Sequence, residues 1–216
     1  MGIALGPLAD GVTRRVPHGE VIAHQGEDVR SLFLVTEGAV RLASVTAAGR
    51  EVVIALLGPG DVFGEWALLD EPSPVEARSV GGTRLVGLPV SSIRTLMERQ
   101  PGAAEQLLRL VASRLHRTRV ALEEALVGDI PARVAGRLRE LAADHGVPGH
   151  GGVRLGVPLT QGELARMVGA SREAVNRTVG ALTARGLVRS TGPWIVISDP
   201  RALEGGPPPL DASGRG

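Results

Sequence analysis

No cysteine occurs among the 216 residues. That excludes disulfides, thiolate zinc sites, cysteine-ligated iron–sulfur clusters and cysteine nucleophiles. Lysine is absent as well, so all 24 basic residues are arginine. With the many Ala, Gly and Pro, this points to a GC-rich genome more than to a function. Aromatic residues make up only 2%, so any core must rest on Leu, Val, Ile and Ala. No apolar run reaches the roughly 18 residues that a membrane helix needs, and no membrane partner is expected. The N-terminus lacks the charged start and apolar run of a signal peptide, so the cytoplasm is the expected location.

What is present is enough chain for one large domain or two ordinary ones, with an apolar share of 43%. The net charge of +1 conceals an asymmetry. Residues 1–98 hold 8 Arg against 12 acidic residues, whereas residues 129–204 hold 10 against 7. The C-terminal part therefore has a modest basic bias, compatible with nucleic acid but not diagnostic of it.

The chain is organised around residues 159–196. Thr160 can cap a helix, and Glu163 stands at capping-box spacing from it. Leu164 and Met167 face inward at helical spacing, and Gly169 should stop that helix. Ser171 then caps a second helix, expected to run to about Arg185 before Gly186. On a wheel at about 100° per residue, Ala174, Val175, Thr178 and Leu182 share one arc. Arg172, Glu173, Asn176 and Arg177 share the opposite arc, in the first two turns. That is where a recognition helix meets base edges in the major groove. Arg can grip guanine bidentately, Glu can accept from cytosine, and Asn can pair with adenine. LVRS, a Gly192-Pro193 turn and WIVIS then read as two strands of a wing, with Arg189 and the hairpin tip available to phosphates. The plainer alternative is an amphipathic helix pair with a charged solvent face.

Residues 16 to about 90 read as all-β. Gly26, Gly38, Gly49 and Gly60 recur every 11 or 12 residues, as turns in a sandwich, jelly roll or barrel would. Residues 58–71, GPGDVFGEWALLDE, interrupt the strands with glycines leading into one or two helical turns. Such a loop can bind an anion through free backbone N–H groups, and Glu65 could bond a sugar hydroxyl. The alternative is a plain connection with Trp66 and Leu68 in the core.

Residues 92–127 read as helix, broken at Pro101-Gly102. Leu108, Val111, Leu115, Thr118, Leu122 and Ala125 form a seam suited to a dimer helix. Asp129 caps a further helix with Pro131 in its first turn, ending near His145-Gly146. HGVPGHGG reads as a flexible connection, and the tail 205–216 as disordered. The five histidines, His18, His24, His116, His145 and His150, show no metal-ligand spacing. No metal site and no catalytic residue is expected.

With these elements in order, residues 8 to 200 resemble the Crp/Fnr family of bacterial transcription regulators. The motifs are HGEVIAHQGE with VTEGAVRL, GPGDVFGEWALLDEPSP, and VGASREAVNRTVGAL. GASREAVNR followed by ISDPRAL looks most like actinobacterial members. The resemblance implies an α+β chain. A cyclic-nucleotide-binding-like β-roll of jelly-roll type spans 1–99, a dimerisation helix 100–128 and a winged helix-turn-helix 129–204. It implies a homodimer through 100–127, double-stranded DNA as partner, and RNA polymerase as a further one. Relatives that read TGTGA half-sites carry Arg-Glu, three residues, then Arg. Here those positions hold Arg172, Glu173 and Arg177, with Ser171, Thr160, Gln161, Asn176 and Arg189 as further DNA contacts.

The effector pocket departs from the family pattern. Gly64 and Glu65 match its Gly-Glu pair, but Ser73 stands where the phosphate-binding Arg would fall, and Pro74 and Val75 replace a hydroxyl residue and Ala. Thr118 matches the residue that meets adenine in cyclic-AMP-binding relatives, with Arg119 beside it. Arg119 could restore the missing charge or fill the pocket, and Arg78 lies further along the strand. Cyclic AMP, another small-molecule effector or none at all remain as readings, and no cofactor is certain. Two other function classes stand beside this one: a regulatory module acting on a protein partner, and a cupin-like metalloenzyme.

Overall fold

The computed structural model describes residues 11–203. The tail expected to be disordered lies outside the described residues. The chain forms two compact units, one running to Leu115 and the other from His116 onward.

The first unit is a β-roll. Strands β1 (Val12–Val16), β2 (Val21–Ala23), β3 (Ser31–Val45), β4 (Glu51–Leu57), β5 (Val62–Phe63) and β6 (Glu76–Pro89) form a six-stranded antiparallel sheet. Its backbone path is β1-β6-β3-β4, with β2 on β6 and β5 on β3. β3 and β6, the two longest strands, pair along most of their length. Gly38 is not the turn its spacing suggested. It lies inside β3 at φ 77°, where the register with β6 shifts. An added Cβ would meet Gly82 and Thr83 of β6, so only glycine permits this bulge.

The roll interior is filled. Val16, Ala23, Val35, Val40, Leu42 and Phe63 sit at its centre, with Phe33 and Val75 packed against them. Phe33 and Phe63 stack with centroids 5.1 Å apart, so both phenylalanines are spent on one core pair. Helix α1 (Val90–Arg99) closes the other end with Val90 and Ile93. Helix α2 (Pro101–Val127) follows, its break falling at Gln100, just ahead of the expected place. Pro101 is the first residue of α2, where its missing N–H costs nothing.

No residue of α2 is buried. Leu108, Val111, Leu115 and Leu122 are all exposed large apolar side chains. Such a stripe on a long helix calls for a partner surface.

The second unit holds the end of α2, helix α3 (Ile130–His145), a four-stranded sheet, and helices α4 (Gln161–Val168) and α5 (Arg172–Ala184). Asp129 caps α3 by accepting from the Ala132 amide at 2.8 Å, and Pro131 lies in the first turn. α3 buries Val134, Ala135, Leu138 and Leu141. Two ion pairs hold it to the last turns of α2: Arg117 with Asp144 at 2.7 Å and Arg139 with Glu124 at 3.5 Å. The sheet runs β7-β8-β10-β9, from β7 (Gly146–Gly149), β8 (Gly152–Leu155), β9 (Val188–Thr191) and β10 (Trp194–Ile197). The stretch read as a flexible connection is therefore a tight hairpin. His150 and Gly151, the latter at φ 82°, make its two-residue turn, which composition alone had suggested was loose.

Candidate nucleic-acid interface

α4 begins with a complete capping box. The Thr160 hydroxyl accepts from the Glu163 amide at 3.1 Å, and the Glu163 carboxylate accepts from the Thr160 amide at 2.8 Å. The Thr160 hydroxyl also donates to that carboxylate. Its hydrogen-bonding capacity is thus largely used inside the helix start, which leaves half-buried Gln161 the freer side chain there. The buried face of α4 consists of Leu164, Ala165 and Val168, while Met167 is only half-buried. Gly169 ends the helix at φ 66°. Arg133 of α3 donates to the Val168 carbonyl at 2.9 Å, so the turn between the two helices is anchored from below.

α5 starts at Ser171, whose hydroxyl accepts from the Ala174 amide at 3.2 Å. Ala174, Val175, Thr178, Val179 and Leu182 are buried. Thr178 takes its place in that core by donating its hydroxyl to the Ala174 carbonyl at 3.0 Å. Arg172, Glu173, Asn176 and Arg177 are all exposed. The helix thus carries two cations, an amide and a carboxylate on its open face. The backbone N–H of Glu173 and the Ser171 side chain hold its carboxyl below the usual value of 4.5, and Arg172 and Arg177 add to this. An anionic acceptor is therefore kept charged between two guanidinium groups.

The wing is the β9-β10 hairpin, with Gly192 at φ 60° in its turn. The Pro193 carbonyl accepts from the Leu159 amide at 2.7 Å. That bond ties the wing tip to the residue just before the α4 cap. Arg189 is exposed on β9 and donates to the Gly151 carbonyl at 3.3 Å. Sequence reasoning had no handle on Arg154 of β8, whose guanidinium lies 5.1 Å from the Trp194 ring centroid. The strand register needed to pair them was hidden while β7 was read as a flexible connection.

In the roll, the Glu65 carboxylate meets Arg114 of α2 at 2.5 Å, and Arg114 also donates to the Val62 carbonyl. Glu65 follows Gly64, which sits at φ 88° at the start of a 3-10 turn over Glu65–Leu69. Within that turn Ala67 is buried, whereas Trp66 is exposed and Leu68 half-buried. The expectation of Trp66 as a core residue is therefore corrected, since the turn directs the indole outward, while half-buried Leu68 packs against the core as expected. The Ser73 backbone is tied to Gly26 and Glu27, and its hydroxyl donates to the Val75 carbonyl at 2.7 Å. Pro74 is exposed. Arg78 is engaged by Glu76 at 2.8 Å and by the Gly19 carbonyl. In the second unit, Thr118 is exposed and Arg119 pairs with Glu123 along the helix surface. Among the described residues no group of three His, Asp or Glu side chains is placed to hold a metal ion. No described helix is long and apolar enough to cross a membrane.

A β-roll followed by a long helix and a winged helix-turn-helix defines a DNA-binding regulator. Residues 13–100 match the cyclic nucleotide-binding domain and residues 132–205 the Crp-like helix-turn-helix domain. The chain is 35% identical over 188 residues to the CRP-like cAMP-activated global transcriptional regulator of Mycobacterium tuberculosis, covering 87% of this chain and 84% of that one. It is 37% identical over 196 residues to the cyclic AMP receptor protein of Thermus thermophilus, covering 88% and 86%. Among solved structures, a CRP-family transcriptional regulator of Thermus thermophilus superposes with a TM-score of 0.71 at 26% identity, over 88% of this chain and 94% of that one. The chain belongs to the Crp/Fnr family of transcriptional regulators and is a DNA-binding member of it.

Proposed function

We propose that the protein acts as a homodimer that reads a TGTGA-like palindrome without needing cyclic AMP. The exposed Arg172, Glu173, Asn176 and Arg177 at the start of α5 carry the DNA part of this reading. They offer base-edge chemistry on the turns that enter the major groove. The open stripe of Leu108, Val111, Leu115 and Leu122 supports pairing of two copies through 100–127. Two-fold symmetry then sets the half-sites about one helical turn apart. We take residues 1–99 as the effector-domain-like roll, 100–128 as the dimer helix and 129–204 as the DNA-binding domain, with RNA polymerase as the further partner.

The effector part rests on Glu65. A sugar-binding carboxylate must be free to accept hydroxyls, and here it is neutralised by Arg114. The position of the phosphate-binding Arg is Ser73, whose hydroxyl donates to the Val75 carbonyl just ahead of β6. Val75 lies against the filled roll core. A buried cyclic phosphate would lack a charge-assisted partner worth about 1.5–3 kcal/mol.

Fluorescence anisotropy tests both parts. The protein is titrated onto a duplex with TGTGA and TCACA half-sites and onto a scrambled duplex, with and without cyclic AMP. Equal, specific binding in both conditions is expected. Specific binding only with the nucleotide would refute the effector part, and equal binding to both duplexes would refute the palindrome.

A further inference from the structure

Two charged contacts join α2 to α3 beyond the turn between them. The last turns of α2, from His116, belong to the second unit together with α3. α2 buries no residue, so its hold on α3 is not that of a packed apolar core. The link is only Gly128 and Asp129, and both are fixed. The Gly128 amide donates to the Glu124 carbonyl at 2.8 Å, and Asp129 caps α3. Glu124 is half-buried, and its carboxylate lies against buried Gly136 of α3, where an added Cβ would overlap both of its oxygens. Arg139 of α3 stands 3.5 Å from the same carboxylate. Earlier on α2, Arg117 meets Asp144 near the end of α3 at 2.7 Å.

Residues seven apart share a face of a helix, so Arg117 and Glu124 lie on one side of α2. The exposed Leu108, Val111, Leu115 and Leu122 follow the 3-4 spacing of a different side, the one left open for a second copy. One helix can therefore hold α3 and pair with its twin at the same time. At 1.5 Å per residue the two contacts stand about 10 Å apart along α2. A single contact is a pivot, whereas two at that separation fix an angle. α3 in turn packs against α4 and α5, and its Arg133 anchors the turn between them. The angle of α3 is thus passed on to the base-reading face of α5.

We propose that Glu124, Gly136, Arg117 and Asp144 are positioning residues for DNA reading: they clamp each DNA-binding domain to its own dimer helix and so fix the separation of the two recognition helices without a bound effector. The clamp presupposes the DNA-reading homodimer described above and supplies the geometry that such a dimer needs when Glu65 is committed to Arg114. The four residues act through the placement of α5 rather than by touching DNA. The Arg117–Asp144 pair has side-chain exposures of 31% and 32%. Pairs that open add little to stability, so breaking one frees the angle and leaves the fold intact.

Anisotropy on three duplexes, without any nucleotide, tests the clamp. One carries the TGTGA and TCACA half-sites about one helical turn apart, one has two base pairs added between them, and one carries a single half-site. The added pairs rotate one half-site by about 70° relative to the other. Wild-type protein should bind the first duplex about tenfold more tightly than the second. Arg117→Asp and Asp144→Arg should each lower that ratio about fivefold while leaving the single half-site within about twofold. Combining them should restore the ratio, because the pair is rebuilt with its signs exchanged. Gly136→Ala favours the helix and evicts the Glu124 carboxylate. It and Glu124→Ala should lower the ratio by similar factors, with no further loss when combined. Thermal melts and sedimentation establish that each variant is folded and dimeric. An unchanged ratio, equal losses on all three duplexes, or no restoration by the exchanged pair overturns the proposal, as does a wild-type spacing preference that arises only on adding cyclic AMP. A wild-type preference for the half-site with none for spacing overturns the clamp alone. If wild-type protein prefers no half-site duplex over a scrambled one, the DNA reading has failed and the clamp falls with it.

Discussion

Arg114 of the long helix spans two groups of the roll, the Glu65 carboxylate and the Val62 carbonyl. Both partners of the ion pair are largely shielded, with side-chain exposures of 19% and 22%. The carboxylate that would serve a ligand therefore serves the fold. Arg114→Ala should cost about 2 kcal/mol in urea unfolding, because it strands a shielded acid and a carbonyl. Glu65→Gln in the same background should restore part of that loss, and non-additivity of the two changes measures the pair. A bound ligand at 100 times its Kd would add about 2.7 kcal/mol. Cyclic AMP is expected to add none to the wild-type protein.

Arg177 and Arg189 should separate specificity from affinity. Arg177→Ala is expected to cost about 1–3 kcal/mol on the specific duplex and to relax preference at one base pair. Arg189→Ala should weaken specific and random duplexes by similar factors. Anisotropy on a set of single-base-pair variants reads both. Comparable losses for Arg177→Ala on specific and random DNA would contradict its role.

The capping box at α4 predicts a stability effect that precedes any DNA contact. Thr160→Ala removes an acceptor for the Glu163 amide and a donor to its carboxylate. Loss of about 1 kcal/mol is expected in denaturant unfolding. Thr160→Ser should retain nearly all of it. A similar loss of DNA affinity in the Ser variant would place the Thr160 methyl at the interface.

Glu124 should give the protein a pH-dependent contribution from the junction of α2 and α3. Its carboxyl lies against buried Gly136, where an added Cβ would overlap it. Burial lifts it above the ordinary 4.5, Glu140 lifts it further, and Arg139 and Arg137 oppose both. The folded state thus holds this proton more tightly than the unfolded chain. The stabilisation is present below the ordinary value and is lost as pH rises through the folded one. Glu124→Gln should therefore flatten the decline in unfolding free energy as pH rises above the ordinary value of 4.5. An unchanged profile would remove Glu124 as its cause.

Local rules made much of the DNA-binding half legible in advance. Thr160 with Glu163, Gly169, Ser171 and the two arcs of α5 follow from capping chemistry and helical period, which involve neighbours within four residues. The restart of the helix at Pro101 and the cap at Asp129 are of the same kind.

Other features depend on partners far along the chain. Gly38 is spaced like a turn glycine, yet its conformation answers to Gly82 and Thr83 across the ladder. Trp66 is apolar, yet it points outward because Ala67 is the side chain that fits beneath the 3-10 turn. The neutralisation of Glu65 needed a partner 49 residues away. The meeting of Arg154 with Trp194 required a hairpin that composition presented as a loop, and a register between strands 40 residues apart. Period and capping act over a turn of chain, so they can be read from sequence alone. Charge pairing and register are settled only when distant segments compete for the same space, and that competition decided that Arg114 would meet Glu65.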